Sequence, residues 1–258
     1  MKMIHPTAIV SDNAIIADGV EIGPYSIIAD RVEIGSGSKV GSHVVINGPT
    51  VIGQDNHIYK FASIGDDPQD KKYTNETTTL RIGDRNTIRE FCTISRGTMQ
   101  DKGQTIMGDD NWIMAYVHIA HDCIIGDKTI MANNATLAGH VHVGDWAIFG
   151  GFSGVHQFCH IGAHSFIGMY AGVTRDVPAY TTVNGSPAIP RGINSEGLKR
   201  RGFDAAQIRN IKNAYRLVYR QGMKLSEAID EIAERAKSQA ELVLFLDSLR
   251  SSDRGLIR

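Results

Sequence analysis

Residues 113–137 read IMAYVHIAHDCIIGDKTIMANNATL, and the period they keep decides the fold. Steps of six from Ile113 land on Ile119, Ile125, Met131 and Leu137. Forward, the ladder runs through Val143, Phe149, Val155, Ile161 and Ile167 to Val173, and backward it reaches Met107. An earlier run with the same step covers Ile4, Val10, Ile16, Ile22, Ile28, Ile34, Val40, Ile46, Ile52, Ile58 and Ile64, and later Ile82, Ile88 and Ile94. All 26 rungs are apolar, and the residue two places before a rung is usually small, as at Ala8, Ala14, Ser26, Ser38, Ala62, Ala135, Ser153 and Ala171. Glycine often follows directly, as at Gly23, Gly53, Gly126 and Gly162.

A helix cannot use this pattern, because six is no multiple of its period of about 3.6 and the rungs would scatter around the circumference. The 27 glycines would weaken it further. In a strand, residues two apart share a face, so rung and small residue point inward together. Such hexapeptide units cannot close a core singly, but they bury their rungs when stacked as coils of a parallel β-helix. If three hexads make one coil, a number the period alone does not fix, residues eighteen apart stack at the strand spacing of about 4.8 Å.

The register also places the cysteines. Cys92, Cys123 and Cys159 each stand two residues before a rung. They are expected as small buried hydrophobes rather than nucleophiles or disulfide partners. The chain has 258 residues, 42% of them hydrophobic and 21% charged, with a net charge of −1. That balance suits a globular protein of one or two domains and argues against a chain-wide nucleic-acid or membrane surface. No stretch has the length of a membrane span or a leader's apolar centre, and a cytoplasmic setting is expected.

Two polar segments interrupt the ladder, at about residues 65–81 and 95–106. A regular prism has no reason to extrude them, so they are candidate substrate or subunit contacts, with tolerated surface insertions as the alternative. After about residue 190 the hexads give way to helical signals. Asp204 and Gln207 form a capping-box pair ahead of AAQIRNIKNAYRLVYRQ, whose apolar face is Ala206, Ile208, Ile211, Ala214, Tyr215 and Val218. Ser226 is a candidate cap for a second helix, and AELVLFLDSLR reads as a third. Arg209, Lys212, Arg216 and Arg220 recur at helical spacing and form a basic stripe, either a site for an acidic partner or a solvated face.

Within HIAHDC, residues 118–123, His118 lies outward just before the rung Ile119 and His121 falls near a corner. Adding eighteen carries His121 to Gly139 and then Gln157, and carries Asp122 to His140. An imidazole can take a proton from an alcohol, a carboxylate can fix its tautomer, and an N–H freed by glycine can meet an oxyanion. Acyl transfer to a hydroxyl is the natural chemistry of that set; histidines that merely decorate outward faces are the alternative. His142 and His160 are also eighteen apart, but no clear third ligand emerges and no metal is expected.

The strings GPYSII, SHVVINGPT, FASIGD, PQDKKY, TIREFCTISRGT, HIAHDC, NNATLAGHV, GVHQFCHIGAH, DVPAY, EGLKRRGF and RGLIR are distributed along essentially the whole chain. They resemble the UDP-N-acetylglucosamine O-acyltransferases of lipid A biosynthesis. That resemblance implies a mainly β fold, a left-handed parallel β-helix over residues 1–190, followed by a small α-helical domain over 191–258. It also implies a homotrimer with sites between neighbouring β-helices, and transfer of an (R)-3-hydroxyacyl group from acyl carrier protein to the glucosamine 3-hydroxyl of UDP-N-acetylglucosamine, with no cofactor. The related N-acyltransferase and a zinc-dependent hexapeptide-repeat enzyme are the alternatives. By the same resemblance, His121 is the general base, Asp122 its orienting partner and Gly139 the oxyanion donor. Gln69, Asp70 and Lys72 would reach the sugar and acyl regions, His140 would contact the sugar, His118 would bind substrate, His156 and Gln157 would line the nucleotide-sugar cleft, and Asn194, Glu196, Arg200 and Arg201 would hold the UDP part. Met169 would limit acyl length where some relatives carry glycine, and the basic stripe would receive the carrier. Ser95 departs from the family's usual TIHRGT, so whatever that histidine contributes must differ here.

Overall fold

The computed structural model describes residues 3–258. Its first two-thirds is a left-handed parallel β-helix whose short strands stack into three sheets of 11, 9 and 8 strands. Ile119 pairs with Leu137, Leu137 with Val155 and Val155 with Val173, a step of eighteen residues at each coil. Backbone N–H groups donate from one coil to the next, as from His118 to Ala135 O at 3.1 Å and from His140 to His121 O at 3.0 Å.

Of the 26 rungs, all but Ile4 and Val10 are buried. Those two belong to the terminal coil, and Ile4 is 41% exposed. Each buried isoleucine contributes about 1.5–3 kcal/mol. Cys92, Cys123 and Cys159 fill small inward slots at 0% exposure. Burial pushes their thiols up to about 11, 12 and 11 respectively, which leaves them un-ionised and unreactive at neutral pH.

One column of slots is polar. Asn56 Oδ1 accepts from the N–H and Nδ2 of Asn86, Asn86 Oδ1 accepts from the Asn111 N–H, and Asn111 Oδ1 accepts from the Thr129 N–H and hydroxyl. Each side chain thereby satisfies a buried backbone donor of the next coil.

Between hexads the chain turns a corner through a left-handed residue, at Tyr116, Asp122, Lys128, Asn134, His140 and Trp146 among others. Side-chain-bearing residues seldom adopt this conformation. Here the stacked backbone bonds on both sides hold it.

The loops break the step. Ser63 pairs with Thr93 and Thr93 with His118, so the step widens from eighteen to 30 and then to 25 residues. The insertions are shorter than the sequence suggests, because strands Thr79–Ile82 and Gln104–Met107, which pair residue for residue, begin inside the expected loop bounds. Leu80 and Thr105 occupy inward slots at 0% exposure, two residues before the rungs Ile82 and Met107. The threonines around them hide a strand in a polar stretch.

At the top, strand Thr181–Asn184 turns back antiparallel against Ile189–Ile193, which spans the expected boundary at residue 190. The tail then forms helices α1 (Ser195–Arg200), α2 (Ala205–Tyr219), α3 (Leu225–Ala236) and α4 (Val243–Arg250), with a short 3-10 turn at Ala240–Leu242. Asp204 caps α2 through a complete capping box with Gln207. The buried face of α2 is Ile211, Ala214, Tyr215 and Leu217, whereas Ala206 in its first turn is exposed. Helix α3 starts at Leu225, so Ser226 lies inside its first turn and supplies no cap. Among the described residues no helix is long and apolar enough to cross a membrane.

The tail is laced to the coils. Tyr180 hydroxyl donates to Glu241 O at 2.8 Å, and the Ile257 N–H donates to Asp176 O at 2.9 Å. Asp176 carboxylate accepts from the Ser252 hydroxyl at 2.7 Å and from the His160 N–H at 2.8 Å.

Candidate active site

The site is built on two adjacent corners of stacked coils. His121 and Asp122 lie at one, Gly139 and His140 at the next, one step of eighteen along the axis. A side-chain carbon at position 139 would stand 2.5 Å from His121 Cε1, so only glycine leaves room for the ring. Among the described residues the Gly139 N–H donates no hydrogen bond.

Asp122 is 2% exposed, and its carboxylate is saturated with donors. It accepts from His121 Nδ1 at 2.8 Å, from the Thr98 N–H at 2.9 and 3.0 Å, and from the Thr98 hydroxyl at 2.7 Å. Burial alone would push this carboxyl up. The hydrogen bonds from His121 and Thr98, with the positive charge that His140 carries when protonated, overcome burial and hold it below the usual carboxylate value. With Nδ1 of His121 donating to a carboxylate, its Nε2 keeps a free lone pair, the arrangement a general base requires.

His140 stands edge-on to His121, the ring centroids 5.1 Å apart, and stacks flat on Phe158 at 4.3 Å. Its Nδ1 lies 3.0 Å from Asp101 Oδ2 and its Nε2 3.8 Å from Asp122 Oδ2. Thr98 and Asp101 both belong to the second loop. Sequence reading singled out that loop but neither residue, because no periodicity relates them to the corner they touch. Arg96 ties the two loops together, contacting Gly65 O, Asp67 and the Tyr73 hydroxyl. Ser95 beside it is buried.

His118 is half-buried and within 2.7 Å of the Thr93 hydroxyl; burial and then the charge of His121 lower its pKa, keeping it neutral. His156 and Gln157 are exposed on the next corner. Gln69 and Lys72 are exposed on the first loop, and Asp70 caps the Lys72 N–H at 2.9 Å. None of the three touches His121 within the chain.

The residues expected to hold a nucleotide divide. Glu196 and Arg200 are exposed on α1, with Glu196 paired to Lys199 at 2.8 Å. Asn194, by contrast, is committed internally: its Oδ1 accepts from the Gly197 N–H at 3.1 Å and caps α1, while its Nδ2 donates to His164 O at 3.0 Å. Arg201 donates to Trp146 O at 2.8 Å, lies 3.1 Å from His164 Nδ1 and covers the Trp146 ring. Burial, helped by Arg201, lowers His164 to about 4, so its neutral ring accepts that hydrogen bond.

His121, Asp122 and His140 also converge closely enough to suggest a metal shell, with ligand atoms within 4.8 Å of one another. Asp122 already accepts from Thr98 and His121, so its oxygens are engaged in orienting a base. His142 and His160 do stack, their rings 4.7 Å apart.

Residues 176–257 match the family described as Udp N-acetylglucosamine O-acyltransferase, Domain 2, and residues 13–48 and 104–139 match bacterial transferase hexapeptide repeats. The chain is 60% identical, over 100% of both chains, to the acyl-acyl-carrier-protein–UDP-N-acetylglucosamine O-acyltransferase of Thiobacillus denitrificans. It is similar to the structure of LpxA from Acinetobacter baumannii, with TM-score 0.97, 49% identity and coverage of 99% of this chain and 100% of that one. The UDP-N-acetylglucosamine O-acyltransferase of Moraxella catarrhalis gives TM-score 0.98 and 48% identity, with 99% of each chain covered.

The depressed carboxyl predicts a pH dependence of stability. A lowered folded pKa makes Asp122 stabilising above the ordinary carboxylate value, and that contribution is withdrawn as pH falls through the folded value. Asp122→Asn should therefore be less stable than wild type at neutral pH, and the difference should shrink below about pH 4. Urea midpoints across the acid range measure it; a difference that stays constant with pH contradicts the assignment.

Proposed function

The chain belongs to the UDP-N-acetylglucosamine O-acyltransferase family, and from that membership we propose how its residues share the transfer. It is an acyltransferase that moves an acyl group from acyl carrier protein to UDP-N-acetylglucosamine, the first step of lipid A synthesis. The carrying observation for the mechanism is the His121–Asp122 hydrogen bond at 2.8 Å, with Gly139 packed against the ring. His121 Nε2 removes the proton from the glucosamine 3-hydroxyl as that oxygen attacks the thioester carbonyl of the (R)-3-hydroxyacyl donor. Asp122 stabilises the imidazolium, and the Gly139 N–H meets the oxyanion. On collapse the C–S bond breaks, His121 returns its proton to the departing sulfur, and the products are a sugar ester and free carrier thiol.

We assign His118, His140, His156 and Gln157 to the acceptor sugar and the cleft around it, and Gln69, Asp70 and Lys72 to the sugar and acyl regions. In a homotrimer a neighbouring coil would bring such first-loop residues to a site they do not reach within the chain. The exposed stack Tyr25, His43, Phe61, Phe91 and Tyr116 supports self-association, since its rings follow one another at 4.9–5.2 Å along one corner. Arg200 and Glu196, the latter paired with Lys199, are exposed and meet the UDP part directly, whereas Asn194 and Arg201 act there by holding α1 against the coils. The exposed Arg209, Lys212, Arg216 and Arg220 suit an acidic carrier protein, an attraction that appears as a carrier KM rising with salt. A cytoplasmic location follows from the carrier-bound donor.

His121→Ala should fold normally, because the ring sits on a corner outside the core, and should lose about a hundred- to ten-thousandfold in turnover. Near wild-type turnover by the folded variant contradicts the role.

Met169 follows Gly151 in its column and is 56% exposed, one residue before Tyr170, whose ring stacks on Phe152 at 5.2 Å. We assign it to the end of the acyl groove, so that 3-hydroxydecanoyl or 3-hydroxydodecanoyl donors are preferred over 3-hydroxymyristoyl. Each methylene denied burial loses about 0.8 kcal/mol, so excluding two changes selectivity about tenfold. Competition between donors in wild type and Met169→Gly tests this: the variant should accept longer chains, and an unchanged preference contradicts it.

A further inference from the structure

His140 is held on three sides. Phe158 lies against its face, His121 meets it edge-on, and Asp101 reaches Nδ1 from the second loop. The residue is only 9% exposed, and its other ring nitrogen, Nε2, lies on the side of the Asp122 oxygen that holds His121 Nδ1. Asp122 Oδ2, at 3.8 Å, is beyond hydrogen-bond range of that nitrogen. The position of Asp101 is itself set by a tight turn, in which Thr98 O accepts from the N–H groups of Asp101 at 3.3 Å and Gly103 at 3.0 Å. The same Thr98 anchors Asp122. A single loop residue thus supports the first imidazole through its carboxylate, and a near neighbour supports the second.

We propose that Asp101 is a positioning residue that fixes His140 as an acceptor for a second hydroxyl of the sugar. An ionised carboxylate can only accept, so it keeps the His140 proton on Nδ1 and leaves the lone pair on Nε2. The corner then presents two imidazoles of the same tautomer, each with Nδ1–H tied to a carboxylate. His121 Nε2 takes the reacting proton; His140 Nε2 receives the O–H of an adjacent hydroxyl and so fixes the ring of the acceptor relative to the base. This rests on the acyl transfer to UDP-N-acetylglucosamine proposed above and adds to it the group that selects a vicinal diol-like acceptor. Of the charged and titratable groups near His140, His121 and Asp122 lie on one side, and Asp101, His142, His160, Asp253 and Arg254 line with it a cleft of about 460 Å³.

The test compares Asp101→Ala with Asp101→Asn. The alanine variant removes the acceptor, whereas the asparagine oxygen can still receive the Nδ1–H. In steady-state assays with each substrate varied, Asp101→Ala should raise KM for UDP-N-acetylglucosamine about tenfold and lower kcat less than about threefold, with KM for the acyl carrier unchanged. Asp101→Asn should recover most of the lost affinity. In ¹⁵N-histidine-labelled protein, the His140 signals, assigned by their loss in His140→Gln, should show a protonated Nδ1 in wild type and Asp101→Asn and a tautomer mixture in Asp101→Ala. Unchanged sugar KM in the alanine variant, equal damage in both variants, or an unaltered His140 tautomer overturns the proposal. A parallel rise in carrier KM also overturns it, by making Asp101 a determinant of loop folding. Absence of any wild-type turnover on UDP-N-acetylglucosamine would instead reject the underlying function, and the ¹⁵N signals would still report on Asp101.

Discussion

The backbone hydrogen bond from each coil to the one eighteen residues later is the constraint on which the molecule depends. It turns a linear period into vertical columns, so a residue's neighbours along the axis are set by arithmetic. Inward columns become continuous ribbons of isoleucine and valine, with a polar file where the amides of Asn56, Asn86 and Asn111 and the hydroxyl of Thr129 occupy the slots. Outward columns become functional surfaces. Gly139 lies over His121 for no reason other than that step, and the absence of a side chain there gives the imidazole its room.

The same rigidity explains how a strained corner can carry chemistry. Asp122 and His140 both adopt left-handed backbone conformations at φ 59° and 62°. Isolated, such residues would relax; here the coils above and below hold them, so their side chains are oriented before substrate arrives. Burying an ionised carboxylate beside them is costly unless donors surround it. The second loop meets that cost by delivering Thr98 through a departure of the register from eighteen to 25 residues. The regular lattice therefore sets the positions, and its interruption supplies the electrostatics.

This division decides what could be read from the sequence. The rungs and the buried cysteines follow from counting, because each is a consequence of the period, and the His121–Gly139 column follows once three hexads make a coil, a number that the family resemblance supplies. Thr98 and Asp101 do not, since a loop leaves the period and returns to it without marking which of its residues point inward. Leu80 and Thr105 were hidden for a related reason: a threonine-rich strand and a polar loop have similar composition. Asn194 and Arg201 carry family motifs, yet only packing reveals that one caps α1 and the other braces it against Trp146 and His164. In the tail, the Asp204 cap was legible because its box is local, while the start of α3 at Leu225 is set without any side-chain cap.

This corner is proposed to pass an acyl group from a carrier thioester to a sugar hydroxyl. The most direct measurement is mass spectrometry and fragmentation of the nucleotide sugar recovered after incubating the purified protein with UDP-N-acetylglucosamine and 3-hydroxyacyl carrier protein. The expected product is a UDP-sugar carrying one hydroxyacyl ester at the glucosamine 3-oxygen, formed with an equal amount of free carrier thiol. Release of the free hydroxy acid with the nucleotide sugar unmodified, or acylation at any other position, would contradict it.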